Sequence, residues 1–343
     1  MTTPAPIPAS LRARLQGFAV ADGATAWREL VITLSALSLG WTCIAWASVR
    51  APGLALLLAV PNGLMLMRAF IIQHDCGHGS FLPGRVANDR LGTFLGLLTL
   101  APYHYWRRNH AHHHVAHGNL DAEQLGGLDT LTVAAYRRSS PLARLSYRIY
   151  RRPLVLVSVG PIYQWLLKHR LPLDIPTSWR REWMSVLLGD LVIAAAVTIA
   201  YFSGGWSAVA TLAFVYLPSV LVAFGVGIWL FYIQHQFPGA YWRRREDWSF
   251  DVAGLYGSSF YDLPAPLAWL TGYIGYHHVH HLAPRVPLYR LRACHRAIPE
   301  LACAPRLTLA TSLRTGRLGL WDEARRRLVG FAESDTDDRE RGY

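Results

Sequence analysis

Residues 30–73 read LVITLSALSLGWTCIAWASVRAPGLALLLAVPNGLMLMRAFIIQ, two long apolar runs joined by a short turn. The first run, residues 30–49, has no charged side chain, and the second, residues 53–73, has only Arg68 near its end. A helix of about 20 apolar residues rises about 30 Å, the thickness of the hydrocarbon core of a bilayer. This stretch therefore predicts two membrane-spanning helices that form a hairpin.

A second pair of apolar runs follows at residues 184–202 and 206–233, separated by little more than Ser203, Gly204 and Gly205. Arginine is concentrated outside these runs, in the N-terminal arm, in residues 85–181 and after residue 243. Cytoplasmic loops of membrane proteins are enriched in basic residues. The pattern predicts an all-α integral membrane protein with four transmembrane helices, arranged as two hairpins, and a cytoplasmic helical cap.

The composition agrees with a membrane protein. Hydrophobic residues make up 52% of the 343 residues and charged residues only 16%, against about a quarter in soluble domains. There are 34 basic and 22 acidic residues, but no long basic run, so lipid headgroups rather than nucleic acid are the expected counterpart. Four scattered cysteines exclude a disulfide scaffold, and the first 28 residues lack the pattern of a cleaved signal peptide.

These features divide the chain into six predicted regions. They are a cytoplasmic N-terminal arm (1–29), the first transmembrane hairpin (30–73), a cytoplasmic or interfacial region (74–183), the second hairpin (184–233), a second cytoplasmic region (234–332) and a disordered tail (333–343). Within them, residues 91–102 and 153–167 are apolar but too short or too interrupted to span, and are interpreted as interfacial or re-entrant.

Most of the 15 histidines fall into three clusters, all in the predicted cytoplasmic regions. The clusters read HDCGH at residues 74–78, HAHHH at residues 110–114 and HHVHH at residues 277–281. Residues three and four apart share one face of a helix, so each cluster can direct its imidazoles toward a common point. The eight histidines at this spacing are His74, His78, His110, His113, His114, His277, His280 and His281.

Eight imidazoles are too many for one four-coordinate ion and favour a pair of ions. His235, which directly follows the fourth apolar run as His74 follows the second, is a candidate ninth ligand. Imidazole suits zinc, copper, iron and nickel, so the ligands alone do not select the metal. Among the other histidines, we expect four to support the ligands or to lie on the surface: His104, His112, His117 and His278. We expect structural roles for His169 and His295.

Residues 69–292 resemble the membrane fatty acid desaturases, and within them the bacterial acyl-lipid group that includes the omega-6 (delta-12) enzymes. The resemblance rests on HDCGHGSF (74–81), APYHYWRRNHAHHH (101–114), GNLD (118–121), LDTLTVAAY (128–136), WLFYIQHQF (229–237) and TGYIGYHHVHHLAPRVPLYRL (271–291). Two departures stand out, since relatives commonly have Asn at the positions of Tyr273 and Leu288.

The resemblance implies a non-haem centre of two Fe ions, held by the eight histidines of the clusters and by His235. It implies O2- and electron-dependent introduction of a cis double bond into a lipid acyl chain, of omega-6 (delta-12) type. The enzyme would lie in the bacterial cytoplasmic (inner) membrane with its active site on the cytoplasmic side.

The electron source must be a separate protein such as a ferredoxin, since the sequence has no HPGG-type haem segment and no glycine-rich nucleotide fingerprint. Arg107, Arg108 and residues 243–245 could attract such a carrier, or could anchor lipid headgroups.

Two alternatives remain open from the sequence. A hydroxylase or ketolase of the same superfamily, acting on alkanes, acyl chains or carotenoids, would use a similar metal centre. The other is a non-catalytic membrane protein that binds or transports metal. Transport would need ionisable residues along the spans, and apart from Asp190 in the third run the spans offer almost none.

Overall fold

The computed structural model describes residues 9–124, 126, 127 and 129–333, and the protein is mostly helical. Within these residues, three helices are long and apolar enough to cross a membrane: α2 (Gly23–Ser48), α3 (Pro52–His78) and α9 (Arg180–His235). The shorter helices are α1 (Ala9–Phe18), α4 (Arg85–Thr99), α5 (Tyr103–Ala116), α6 (Val133–Arg138), α7 (Pro141–Tyr150), α8 (Pro153–Tyr163), α10 (Phe250–Tyr256), α11 (Ala265–Leu270), α12 (His277–Leu282), α13 (Leu288–Ala297) and α14 (Leu309–Thr315).

Helices α2 and α3 form the hairpin that the opening sequence predicts. Asp22 caps α2 by accepting a hydrogen bond from the Thr25 backbone N–H (2.6 Å), and Pro52 occupies the first position of α3. Gly63 of α3 packs directly on α9, where a Cβ atom would lie 2.8 Å from the carbonyl oxygen of Ser219. Small residues at such contacts let membrane helices approach closely.

The 56-residue helix α9 reverses direction in its middle. A straight helix of this length would be about 84 Å long, yet its two ends both contact α5, which is only 14 residues long. The Ser185 hydroxyl accepts from the backbone N–H of His104 (3.1 Å), and His235 contacts His113. The helical geometry breaks at Gly204 and Gly205, and Gly205 has the positive φ of 64° that favours glycine. The two arms of α9 therefore run antiparallel.

The two short apolar stretches are also helical. Residues 91–102 form most of α4 and the turn after it, and residues 153–167 form α8 and most of one π-helical turn, Gln164–Lys168. Together α8 and this turn span 16 residues, or about 24 Å, which is less than a bilayer core. Beside them, Asp190 in the first arm of α9 pairs with Arg170 (2.7 Å).

Two small sheets complete the fold. Strand β1 (Phe260–Tyr261) pairs in parallel with β2 (Arg306–Leu307), and β3 (Leu320–Asp322) pairs antiparallel with β4 (Arg327–Val329). A 3-10 turn, Pro299–Cys303, precedes β2. Helices α11 and α13 contact α3, so the segments on both sides of the third histidine cluster pack on the first hairpin.

Parts of three predicted regions lie outside the described residues, namely residues 1–8 of the arm, residues 125 and 128 of the region 74–183, and residues 334–343 of the tail. The described part of the arm contains α1 and the start of α2.

Candidate metal centre

The nine histidines predicted as ligands lie together, on four segments that are distant in sequence. His74 and His78 lie at the end of α3, His110, His113 and His114 in α5, His235 at the end of α9, and His277, His280 and His281 in α12. Eight of them are buried and His78 is partly buried. The spacing i, i+3, i+4 places the rings of α5 and α12 on one face of each helix, and those two faces meet.

A first group consists of His74, His78, His110 and His280. Each offers a ring nitrogen, and the four nitrogens lie within 4.8 Å of one another. The Nε2 atoms of His74 and His280 are 3.1 Å apart. The indole of Trp106 covers the group and stacks on the ring of His110, with centroids 4.6 Å apart.

A second group consists of His113, His235, His277 and His281, whose ring nitrogens also lie within 4.8 Å of one another. Nε2 of His235 is 3.1 Å from Nε2 of His113 and 3.0 Å from Nε2 of His277. His281 joins the group through a 3.2 Å contact with His277.

His114 stands between the two groups. Its Nε2 atom is 3.0 Å from Nε2 of His110 and 2.9 Å from Nε2 of His280. Its ring stacks on that of His281 of the second group, with centroids 4.4 Å apart. The arrangement therefore brings together all nine predicted residues.

This geometry fits metal ions better than hydrogen bonds. A neutral imidazole has one N–H, yet the Nε2 atoms of His235 and His280 each face two other Nε2 atoms. Nitrogen ligands about 2.05 Å from one tetrahedral ion lie about 3.3 Å apart, close to the observed separations. The buried Nε2 of His78 has no hydrogen-bond partner among the described residues.

Burial keeps these ligands neutral. Loss of solvent, reinforced by the neighbouring imidazoles, holds the pKa well below the usual 6.5 for the six predicted ligands on α5 and α12: His110, His113, His114, His277, His280 and His281. An unprotonated imidazole offers a lone pair to a metal. The two groups can therefore hold metal ions at neutral pH.

Comparison with known proteins gives the chemical context. The family model for fatty acid desaturases matches residues 51–311. A fatty acid desaturase of Bacillus subtilis (strain 168) is 41% identical over 278 residues, covering 81% of this chain and 78% of the relative. An sn-1 oleoyl-lipid 12-desaturase of Synechocystis is 30% identical over 281 residues, covering 80% and 76%.

The chain belongs to the fatty acid desaturase family. It is therefore an oxidoreductase of lipid metabolism, and the apolar helices described above are those of a membrane desaturase. The prediction of a fatty acyl desaturase from the three histidine clusters is confirmed.

Asp75 links the first histidine cluster of the desaturase to the start of α13, which follows the third cluster. Its Oδ1 atom is 3.1 Å from Nδ1 of His74, and its Oδ2 atom accepts a hydrogen bond from the Leu288 backbone N–H (2.6 Å). A carboxylate that binds the second nitrogen of a ligand imidazole fixes the orientation of the ring. Sequence reasoning missed this role, because Asp75 and Leu288 are 213 positions apart.

We expect Asp75→Asn to weaken metal binding by about 10- to 100-fold, the usual cost of losing such a partner. The amide keeps the size of the side chain, but its single oxygen can accept from only one of the His74 Nδ1–H and the Leu288 N–H. Metal content after dialysis against graded chelator measures the change. Asp262→Asn, which removes a carboxylate paired with Arg306 on the surface, is the control, and equal metal loss in both variants would contradict the assignment.

His117 supports the second group from outside. Its ring centroid lies 4.1 Å from that of His235, and its Nε2 atom is 2.8 Å from the carbonyl oxygen of Gly257. The same carbonyl is 3.4 Å from Nδ1 of His235. A Cβ atom on Gly257 would lie 2.7 Å from Nε2 of His117, so only glycine leaves room for this contact.

The other histidines lie apart from the two groups. His278 contacts His295 (Nε2 to Nδ1, 2.9 Å), and His169 contacts Gln164. The partly exposed ring of His112 stacks on Trp179 with centroids 6.0 Å apart, and the ring of His104 contacts that of Tyr103 edge to face.

Acid should destabilise the desaturase. Burial lowers the pKa of His117 to about 4 and of His278 to about 3, whereas both titrate near 6.5 in the unfolded chain. The unfolded chain therefore takes up protons first, and stability should be constant above about pH 6.5 and fall as the pH drops toward 4. Melting temperatures of the purified protein in detergent at pH 8, 6.5 and 5 test this, and an unchanged value at pH 5 would contradict it.

Tyr273, where relatives commonly have Asn, has a positive φ of 56°. Asn adopts this left-handed conformation more readily than other residues with a side chain. The backbone of the turn before the third cluster therefore favours Asn at this position.

Tyr273→Asn should consequently raise the melting temperature, by the equivalent of about 0.5–1 kcal/mol, and leave the metal content unchanged. Tyr276→Asn, at a neighbouring residue with an ordinary negative φ, is the matched control and should not stabilise. A change of metal content in Tyr273→Asn would instead indicate a direct role at the centre.

The arginines considered for attracting an electron carrier are largely paired within the protein. Arg107 pairs with Asp89 (3.0 Å), and Arg108 pairs with Glu182 (3.1 Å) while covering the ring of Trp179. Arg244 pairs with Asp121 (2.6 Å) and Glu323 (2.9 Å). These pairs connect α5 with α4 and α9, and they join the loop after α9 to Asp121 and Glu323.

Proposed function

We propose that this desaturase holds two iron ions with nine histidines and introduces a cis double bond into the acyl chain of a membrane lipid. The observation that carries the proposal is that eight of the nine histidines form two adjacent groups of ring nitrogens, with His114 in contact with both. The ligands would be His74, His78, His110 and His280 for one ion and His113, His235, His277 and His281 for the other, with His114 between them.

The proposed topology has four membrane spans. The spans are α2, α3 and the two antiparallel arms of α9, and the remaining helices form a cap at the end where α3 and α9 deliver His74 and His235. Arginine is abundant in the cap and almost absent from the two hairpin turns, which favours a cytoplasmic cap. In a bacterium the enzyme would lie in the inner membrane, and the six regions predicted from the sequence would keep their bounds.

Iron, when bound, would supply the oxygen activation needed to remove hydrogen from unactivated methylene groups. The overall change consumes O2, two electrons and two protons, takes two hydrogens from adjacent carbons and yields two waters. The side chains of the protein position the reaction: the histidine groups lie where the spans meet the cap, so an acyl chain that enters among the spans can reach them. Trp106 and Phe231, which contact His110 and His113, shield the groups from water.

A delta-12 (omega-6) position for the new double bond is supported by the relative from Synechocystis, which is an sn-1 oleoyl-lipid 12-desaturase. The substrate would then be a monounsaturated acyl chain on a glycerolipid. The electrons would come from an external carrier such as a ferredoxin.

Expression in a bacterial host that makes only monounsaturated lipids tests the proposal. We expect lipids with diunsaturated acyl chains, two mass units lighter than their precursors, with the second double bond between carbons 12 and 13. A His280→Ala variant should give none, and His112→Ala, which changes a partly exposed histidine of α5, should behave as the unaltered protein. Products that have gained oxygen would overturn desaturation, and a different bond position would overturn the regiochemistry.

A further inference from the structure

Residues 130–173 carry a strong local charge. They contain no Asp or Glu and eight basic side chains: Arg137, Arg138, Arg144, Arg148, Arg151, Arg152, Lys168 and Arg170. Six of the eight lie in residues 137–152, which we call the basic segment and which contains α7. A basic amphipathic helix is typical of a membrane-surface element.

The two faces of α7 differ sharply. On one face, the Tyr147 hydroxyl donates to the carbonyl oxygen of Gly319 (2.8 Å) and accepts from the Leu131 N–H (3.1 Å), which ties the helix to the protein. The opposite face presents Leu142, Leu145 and Ile149, which are 73%, 54% and 46% exposed. No side chain of α7 is buried, so this apolar face points away from the protein.

The arginines beside this face include several that are available to a ligand. Arg138, Arg144 and Arg152 have no ion-pair partner among the residues that the structure describes. They differ in this respect from Arg107 and Arg244, whose charges are neutralised by carboxylates.

The apolar surface continues from α7 into neighbouring elements. Leu154 and Val159 of α8 are 75% and 54% exposed, while the other side of α8 packs on the second arm of α9, where a Cβ on Gly225 would lie 2.9 Å from the Val157 oxygen. Leu313 of α14 is 72% exposed, and the end of α14 reaches the start of α8. The exposed apolar face of α7 therefore continues onto α8, which packs on the second arm of α9, a proposed membrane span.

We propose that the basic segment is a binding surface for anionic phospholipids. Leu142, Leu145 and Ile149 would enter the acyl region of the cytoplasmic leaflet, and the three unpaired arginines would bind headgroup phosphates. An acidic protein would require a polar surface around the arginines, whereas these arginines alternate with exposed leucines. The proposal rests on the proposed function only for the orientation of the spans.

A triple variant tests the charge: Arg138→Gln, Arg144→Gln and Arg152→Gln. Full-length protein in detergent is titrated with phosphatidylglycerol or phosphatidylcholine, and bound lipid is counted by native mass spectrometry. Each arginine near an anionic surface is worth about fivefold, so the preference for phosphatidylglycerol should fall at least about tenfold. The control, Arg285→Gln, Arg292→Gln and Arg296→Gln, removes the same charge from exposed positions around α13 and should keep the preference. Equal loss in both variants, or no preference in the unaltered protein, overturns the proposal.

A spin label tests the insertion. In a variant with Cys43→Ser and Cys303→Ser, a label at Leu145→Cys is compared with one at Ala143→Cys, which lies on the other side of α7. In vesicles containing phosphatidylglycerol, the label at 145 should collide with O2 far more than with a water-soluble nickel complex, and the label at 143 should not. Equal accessibility at both positions, or burial of 145 only after an acidic carrier protein is added, overturns the proposal.

These readouts are independent of desaturation. A protein that prefers phosphatidylglycerol but makes no double bond supports the lipid surface and contradicts the proposed function. A protein that makes the double bond without lipid preference contradicts only the lipid surface.

Discussion

Replacement of His235 by alanine should reduce the metal content from two ions per chain to about one and lower desaturation more than about 100-fold. Nε2 of His235 contacts both His113 and His277, so its loss leaves the second group without its central ligand. A missing ligand should cost at least as much as a missing partner of a ligand, for which 10- to 100-fold is usual. Metal analysis of purified protein and lipid analysis of the expressing cells measure the two effects.

The control for this variant is His112→Ala, which removes a partly exposed imidazole from the same helix α5. It should retain both ions and full activity. If His235→Ala also retained both ions, the second group would not be a metal site in the form proposed.

Glu29→Gln should be the most destabilising of the changes away from the histidines. Arg68 of α3 is fully buried, pairs with Glu29 of α2 at 2.5 Å, and donates to Thr33 and to the backbone oxygen of Trp269. Neutralising Glu29 leaves an uncompensated charge within the bundle, which costs about 3–5 kcal/mol. Thermal unfolding in detergent should show a large drop in melting temperature.

The pair Glu29→Leu and Arg68→Met provides the matched test. Replacing both partners by apolar side chains removes the buried charge together with its counter-charge, and such replacements are often close to neutral. The double variant should therefore be more stable than Glu29→Gln. A double variant that is less stable than the single one would show that Arg68 acts mainly through Trp269, on α11 before the third histidine cluster.

The local sequence pattern predicted the long helices and the residues that share one helical face, because these features depend on periodicity. The apolar runs predicted α2 and α3, the glycines at 204 and 205 predicted the reversal within α9, and histidine spacing predicted which rings share a helical face. The ninth histidine, His235, was predicted from its position after an apolar run, and it contacts the other histidines.

Contacts between distant residues could not be predicted in this way. Arg68 was identified only as a charge at the end of an apolar run, and nothing in its neighbourhood indicates Glu29 or Trp269. The bond between Asp75 and Leu288, and the place of His117 beside His235, likewise depend on how the hairpins and the cap pack. The positive φ at residue 273 favours Asn, but the sequence has Tyr at this position, so the turn could not be predicted from its residue type.

The nine histidines lie on α3, α5, α9 and α12, so they meet only when these four helices have packed together. Loading with iron would then act as a checkpoint for assembly, because a chain with one misplaced helix cannot offer a complete ligand set. Ligands that bind only the folded form stabilise it by mass action, so cells starved of iron should degrade this enzyme faster. Its abundance, and with it the fluidity of the membrane, would follow the iron supply.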